Sequence, residues 1–429
     1  MYKRQVSPQD GAQTELQSIE SGYSPWLGGT GALNYRSGNL GYDHLSALES
    51  PFETSMPFGY TGRFTVVAKP VFLDSGQADG SAVISVTEAT TAGTAIVSIP
   101  EPLGTDVKTG LSATSTGTAT VLAIPAQQNA AGIGGEVQLA FPHLAIAGGY
   151  TPSGFLVANA TARANWRPNN GPFTFSFVRD PIKDSQLSYG GLRDPGGSTL
   201  GHEGQVWGGV IANQGNVQYS RGDAASGFYL GAGGQYISGT HVLTNNRIDV
   251  SGGSYWRVFS QPDLGDLSIG ANFFAMHYGN NQLAYTFGMG GYFSPQAYFL
   301  ANVPFTWNGR SGPHWHYNVL GSFGVQAFQE DSAPLWPLAA DKALEIAEFS
   351  AALPAKTSVG PNYDLRAQTA YAISPNWFAG GFLGANNARN YTSAQVGFYI
   401  RYLFRPQVNA LTGPTGIFPS DGFRPFRVP

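Results

Sequence analysis

The 429-residue chain contains no cysteine, which removes disulfide frameworks and thiolate metal sites from consideration. It is also poor in charge. Asp, Glu, Lys and Arg make up 12% of the residues, against roughly 25% in an ordinary soluble protein. The net charge of -4 gives no basic surface for nucleic acid. No run of about 18 apolar residues occurs, so no transmembrane helix is predicted. The stretch Met1 to Glu20 is polar and lacks the apolar core of a secretory signal, and the expectation is a piece of a longer precursor. The Gly-rich run Gly231 to Gly234 has no Lys or Ser/Thr behind it to make a phosphate loop. No Gly-x-Ser-x-Gly elbow is present, and Glu330, Asp331, Asp263 and Asp266 lie in turns with no legible carboxylate pairing. His314 and His316 share one strand face, but no third ligand accompanies them. The sequence therefore predicts neither an enzyme nor a cofactor or metal.

What the chain does have is 57 Gly, 13% aromatics and 42% hydrophobics. Its polarity comes from Asn, Gln, Ser, Thr and Gly rather than from charge. A wall with lipid on one face and water on the other needs this composition.

Runs of about ten residues alternate apolar and polar, a length matching a tilted membrane strand. In Ala394 to Phe404 the even positions are Ala394, Val396, Phe398, Ile400, Tyr402 and Phe404, and the odd positions include Gln395 and Arg401. Successive strand side chains point to opposite faces, so one face is greasy and the other polar. The split recurs in Leu156 to Trp166, Leu267 to Tyr278, Tyr298 to Trp307 and His314 to Phe328. Trp, Tyr and Phe often end the apolar face, as aromatic girdles do at a membrane boundary.

The predicted fold is all-β: a transmembrane antiparallel up-and-down barrel of about 16 strands, with one short helix in a long loop. Residues 1–28 are expected to be a linker remnant, 29–405 the barrel and 406–429 a tail. The Ala-, Thr- and Ser-rich stretch 81–135 reads as a loop insertion, and Pro337 to Ala352 carries the helical spacing. Counting back from the last strand places both termini and the turn Ser374 to Asn376 on the periplasmic side. The loop Gln329 to Gly360 then falls outside.

A closed barrel near sixteen strands leaves an aqueous lumen, so a wet interior is expected. Parity places Asn159, Arg163, Tyr229, Gln235 and Arg257 on its lining. The same rule adds Asn272, Tyr278, Tyr298, Asn302, His316, Asn318, Gln326, Tyr399 and Arg401. Aromatic rings and amides with few cations suit a neutral sugar polymer, whereas a dense Lys/Arg ring would suit an anionic one. An open pore would leak, and the candidate gates are the helical loop Pro337 to Ala352 and the tail Gln407 to Pro429.

Four motifs resemble the C-terminal domain of the cellulose synthase operon protein C family. They are Gly290-Gly291-Tyr292-Phe293-Ser294-Pro295-Gln296 before an aromatic strand ending at Trp307, and Asp184-Ser185-Gln186-Leu187-Ser188-Tyr189 with Gly191, Arg193-Asp194-Pro195 and Trp207-Gly208-Gly209-Val210. The others are Arg36-Ser37-Gly38 with Gly41, Leu45, Glu49 and Pro51-Phe52-Glu53, and His277-Tyr278-Gly279-Asn280-Asn281. The resemblance implies a sixteen-stranded bacterial outer-membrane barrel that exports nascent cellulose, a β-1,4-glucan. It implies as partners the glucan chain, outer-membrane lipids, and periplasmic and inner-membrane cellulose synthase components reached through an upstream tetratricopeptide region. The alternative is a general porin or an exporter of another exopolysaccharide.

Overall fold

The computed structural model describes residues 24–59, 61–78, 83–89, 94–98, 107–109, 118–122, 125, 127–195, 202–261, 264–312, 314–338, 352–388 and 391–406. Sixteen antiparallel strands close into a barrel. In chain order they are β1 (Trp26–Arg36), β2 (Leu45–Glu49 continuing as Phe52–Phe58), β3 (Gly62–Gln77) and β4 (Gln127–Ala140). There follow β5 (Leu144–Tyr150), β6 (Ala160–Trp166), β7 (Phe173–Pro181) and β8 (Val206–Gly222). Then come β9 (Ser226–Thr240), β10 (Val242–Gln261), β11 (Gly265–Tyr278) and β12 (Ala297–Ser311). The last are β13 (Trp315–Glu330), β14 (Lys356–Ala372), β15 (Trp377–Ala388) and β16 (Tyr391–Leu403).

Each strand pairs with its neighbours in sequence, and β1 closes the ring against β16 from Trp26↔Leu403 to Arg36↔Ser393. Closure leaves no open sheet margin, which lipid would not tolerate. The gap inside β2 falls at Ser50 and Pro51, where proline supplies no N–H. The register to β1 is the same on both sides of it.

Alternation along the strands produces the outer surface. Phe398 is 72% exposed, Val359 70% and Ile248 63%, whereas Tyr399, the inward neighbour of Phe398, is 3% exposed. Five of the eight tryptophans, Trp166, Trp256, Trp307, Trp315 and Trp377, point outward at the end where β1 begins and β16 finishes. They form an aromatic girdle with Tyr and Phe neighbours such as Tyr402, whose ring lies 4.9 Å from that of Trp377. Toward the other end an outward polar row marks the limit of the lipid belt: Arg179 pairs with Asn213, Asn213 with Tyr236, and Tyr236 with Asn246. Among the described residues no helix is long and apolar enough to cross a membrane, and strands do the crossing instead.

Two expectations change. Residues 127–135, read as insertion, are the first part of β4, which runs along β3 from Gln127 to Ala140. Small residues at Ala130, Ala131, Gly132, Gly134 and Gly135 hid that strand because they offer little alternation. Second, the segment before Ala160 is loop, not strand: Thr151 Oγ1 accepts a hydrogen bond from the Asn159 amide at 2.7 Å, and Phe155 turns inward onto Tyr189. Among the described residues the α-helix is α1 (Gln186–Gly190) in the β7–β8 connection, accompanied by a 3-10 turn at Pro168–Asn170. Most of the stretch Pro337 to Ala352, and the tail from Gln407, lie outside the described residues, so neither gate candidate is among them.

Candidate functional site: the barrel interior and its loop cap

The interior has two unlike halves. At the termini end and midway up, inward positions carry amides, hydroxyls and paired charges. Tyr229 donates to Asn272 Oδ1 at 2.5 Å, Asn272 Nδ2 to Asn302 Oδ1 at 3.0 Å, and Asn302 Nδ2 to Ser322 Oγ at 3.2 Å. A second chain runs from Gln368 Nε2 to Asn318 Oδ1 at 3.4 Å and from Asn318 Nδ2 to Asn308 Oδ1 at 2.5 Å. Gln235 Nε2 donates to Gln214 at 2.8 Å. These ladders arise because inward amides on adjacent strands sit at or near cross-strand positions, within reach of one another.

Several inward cations sit against carboxylates. Arg163 lies 2.9 Å from Asp180 and 3.5 Å from Glu136, Lys69 3.0 Å from Glu49, and Arg247 2.7 Å from Asp249. Arg366 lies 2.7 Å from Asp364. Arg401 stacks 3.8 Å over the Trp26 ring with Glu53 at 3.8 Å. Each pair adds little stability, but together they leave the wall without a strong field of either sign. Such a wall does not concentrate ions as a charged ring would.

The loop end carries a hydrophobic core. Residues 182–195, 279–296 and 331–338 fold over the mouth and bury Leu187, Leu192, Tyr285, Phe287, Met289, Tyr292, Leu335 and Trp336. Trp207, Val210, Ile237, Val242 and Tyr278 supply the wall beneath them. Polar contacts lock this cap. Ser185, whose hydroxyl caps α1, also donates to the Gly291 carbonyl at 2.8 Å. Asp184 accepts from the Phe293 amide at 3.0 Å and from Arg36 at 3.0 Å. Arg36 in turn lies 3.6 Å over Tyr391, so a single carboxylate joins the β1–β16 seam to two cap loops. Asn281 Nδ2 donates to the Asp331 carbonyl at 2.9 Å, and the Thr286 hydroxyl donates to the Leu335 carbonyl. Asn245 donates to Tyr292 Oη at 3.1 Å; burial drives the Tyr292 phenol well above its ordinary pKa. Gly208 adopts φ of +100°, and a Cβ there would meet the Leu187 carbonyl. Only glycine lets the chain pass this close.

Against the parity expectation, Arg163, Tyr229, Gln235, Asn272, Asn302, Asn318, Tyr399 and Arg401 occupy inward positions in the polar part, as does the half-buried His316. Tyr399 donates to the Thr369 carbonyl at 3.0 Å. Arg257 is exposed near a turn at the termini end, 3.8 Å from Asp266. Tyr298 and Gln326 bond each other at 3.1 Å beneath the cap, where Phe293 packs on Tyr298. Tyr278 belongs to the cap core, 6.2 Å from the Tyr292 ring. Asn159 sits in the loop before β6 and donates to the Gly209 carbonyl at 3.0 Å. Inward side chains are thus polar in one part of the barrel and apolar in the other. Periodicity gives the direction a side chain points but not whether a loop folds onto it. Trp336 escaped sequence reasoning for that reason, and Asp184 was quoted in a motif without its role in the cap. Among the described residues no group of three His, Asp or Glu gathers to hold a metal.

A family profile described as "Cellulose synthase operon protein C C-terminus" matches residues 43–405. Cellulose synthase operon protein C of Pseudomonas fluorescens strain SBW25 is 29% identical over 383 residues, 89% of this chain and 27% of that protein. Cellulose synthase 1 operon protein C of Komagataeibacter xylinus is 30% identical over 342 residues, 75% of this chain and 25% of that protein. This chain thus spans about a quarter of the length of those relatives. Among solved structures, a bacterial polysaccharide outer membrane secretin aligns over 89% of this chain and 99% of that chain, with a TM-score of 0.48 and 11% identity. On the profile match, together with a closed, lipid-facing barrel, the chain belongs to the family of cellulose synthase operon protein C C-terminal domains and is a sixteen-stranded barrel of the bacterial outer membrane.

Proposed function

We propose that this barrel is a non-enzymatic channel through which nascent β-1,4-glucan leaves the cell, and that the form described here is its closed form. The observation that carries the reading is the polar half of the interior: amides, tyrosines and charge-balanced pairs, with no dominant sign. A glucan chain is a neutral ribbon with hydroxyl edges and C–H faces. It needs hydrogen-bonding groups weak enough to release it and rings to slide past, and it gains nothing from a charged field. The names of the relatives place their operon in cellulose synthesis, which supports glucan as cargo. The additional length of those relatives would carry the link to periplasmic and inner-membrane synthase components, and the driving force would come from synthesis.

Reconstitution in liposomes tests the reading. With the cap loosened by Trp336→Ala, cello-oligosaccharides should leave loaded vesicles faster than uronic or sulfated oligomers of equal length. Equal efflux of neutral and charged oligomers would favour a general porin. Preferential efflux of the anionic ones would favour another exopolysaccharide.

A further inference from the structure

The aromatic girdle is uneven around the barrel. On β6 to β9, at the end where β1 begins and β16 finishes, outward rings follow one another in series. The ring centroid of Trp166 lies 5.5 Å from that of Phe175, Phe175 6.4 Å from Phe173, Phe173 5.2 Å from Tyr219, and Tyr219 5.9 Å from Phe228. Two arginines stand at the edge of this cluster nearest the turns. Arg167 follows Trp166, and its Nε donates to the Gly171 carbonyl at 3.0 Å, which holds the guanidinium against the turn 167–172. Ser220 donates its amide to the Pro172 carbonyl at 2.8 Å and so brings the next residue, Arg221, to the same turn. Arg221 shares the outward parity of Val217 and Tyr219, and both arginines are exposed. Inward arginines such as Arg163 and Arg366 face carboxylates, whereas among the described residues neither Arg167 nor Arg221 has a carboxylate partner. Asp223, in the neighbouring turn, is directed at its own loop and accepts from the Ala225 and Ser226 amides at 2.7 and 3.0 Å.

We propose that this outer face of β6 to β9 binds a phospholipid of net negative charge, of the phosphatidylglycerol type, with its phosphate at Arg167 and Arg221 and an acyl chain along the rings. The short turns at this end, 141–143, 167–172 and 223–225, mark it as the periplasmic side, where the leaflet of an outer membrane is glycerophospholipid. A guanidinium presents paired N–H groups to a phosphate. Aromatic rings settle at the headgroup boundary with their apolar bodies toward the chains, so rings and guanidiniums stand at the depths of the chains and the phosphate of one lipid. Two cations without carboxylate partners favour a headgroup of net negative charge over a zwitterionic one, whose ammonium would meet the same arginines. β5 and β6 span 7 residues each, and a lipid held here would fix the depth of that short stretch of wall.

The test reconstitutes the full chain in phosphatidylcholine vesicles containing a minor share of phosphatidylglycerol, with bromine on the acyl chains of one lipid at a time. Bromine quenches nearby tryptophan. At equal bromine content, brominated phosphatidylglycerol should quench more than brominated phosphatidylcholine, and Trp166→Phe should remove most of the excess. In detergent micelles, short-chain phosphatidylglycerol should bind saturably, and inorganic phosphate and short-chain phosphatidylcholine should not at the same concentrations. One arginine beside an anionic lipid contributes about fivefold in affinity. Arg167→Gln combined with Arg221→Gln should therefore weaken binding by about twentyfold or more and abolish the excess quenching, with the melting temperature unchanged. Arg221→Glu reverses the charge at a single exposed position; it should also abolish the excess and decides the matter should the double variant fold poorly. Equal quenching by the two lipids, an excess that survives Trp166→Phe, inorganic phosphate binding as tightly as the lipid, or undiminished binding by the variants overturns the proposal.

Discussion

The two halves of the interior are built on the same sixteen strands, yet one is an amide-lined passage and the other a dry core. In the lower half, an inward Asn or Gln meets another amide across the sheet, as Asn272 meets Asn302. In the upper half the inward faces of β8 to β11 carry Trp207, Ile237 and Tyr278, and three loops supply the complementary apolar surface. The wall cannot narrow itself, because its diameter is fixed by strand number and backbone pairing. Closure is therefore assigned to the connections, which can rearrange without breaking the ring.

Perturbing one half should leave the other intact. The largest effect is expected from Trp336→Ala. Removing a side chain only 3% exposed costs the cap about 3–5 kcal/mol, enough to shift a closed–open balance by roughly 10² to 10⁴. Planar-bilayer recordings should show long openings where the parent is nearly silent, with the barrel's melting barely changed. Asp184→Asn comes next. It removes the charge facing Arg36 while a side-chain oxygen remains to accept from the Phe293 amide, a loss of roughly 1.5–3 kcal/mol for one charged bond. Brief openings should appear, fewer than in Trp336→Ala. If Asp184→Asn opens the pore more than Trp336→Ala does, the cap is held by charge rather than by burial.

In the polar half, Glu53→Gln deprives Arg401 of the carboxylate 3.8 Å away. In an opened background, one kT of added positive potential raises anions about threefold and lowers cations about threefold, shifting the ratio by about sevenfold; an unchanged reversal potential would show that this charge is not felt in the passage. The smallest effect concerns pH. The closed cap holds Tyr292 protonated more tightly than an exposed phenol, so its contribution is complete below the ordinary value near 10 and declines as pH rises past it. Conductance should grow above about pH 10 in the parent and less steeply in Tyr292→Phe, if the buried phenol is responsible.

The strand walls were legible because period-two alternation is a direct record of two solvents. β16, with Phe398 outward and Tyr399 inward, follows that pattern residue by residue. β4 was obscured where alanine and glycine replace larger side chains. The cap was not read as a cap, although its parts were quoted as motifs. The Asp184 to Tyr189 segment and the Gly290 to Gln296 segment meet through Ser185 and Gly291, 106 positions apart in the chain. Nothing in local periodicity reports a contact at that separation. The two glycines at +77° and +64°, Gly191 and Gly291, were the visible trace, since tight backbone passages demand them.

The central claim is that a charge-balanced, amide-lined bore passes a neutral polymer once the cap yields. It is tested most directly by recording single channels of Trp336→Ala in a salt gradient while adding cello-oligosaccharides of increasing length. The account predicts weak ion selectivity and transient current blocks whose duration grows with chain length. Strong selectivity for one ion sign, or a current that ignores every cello-oligosaccharide, would contradict it.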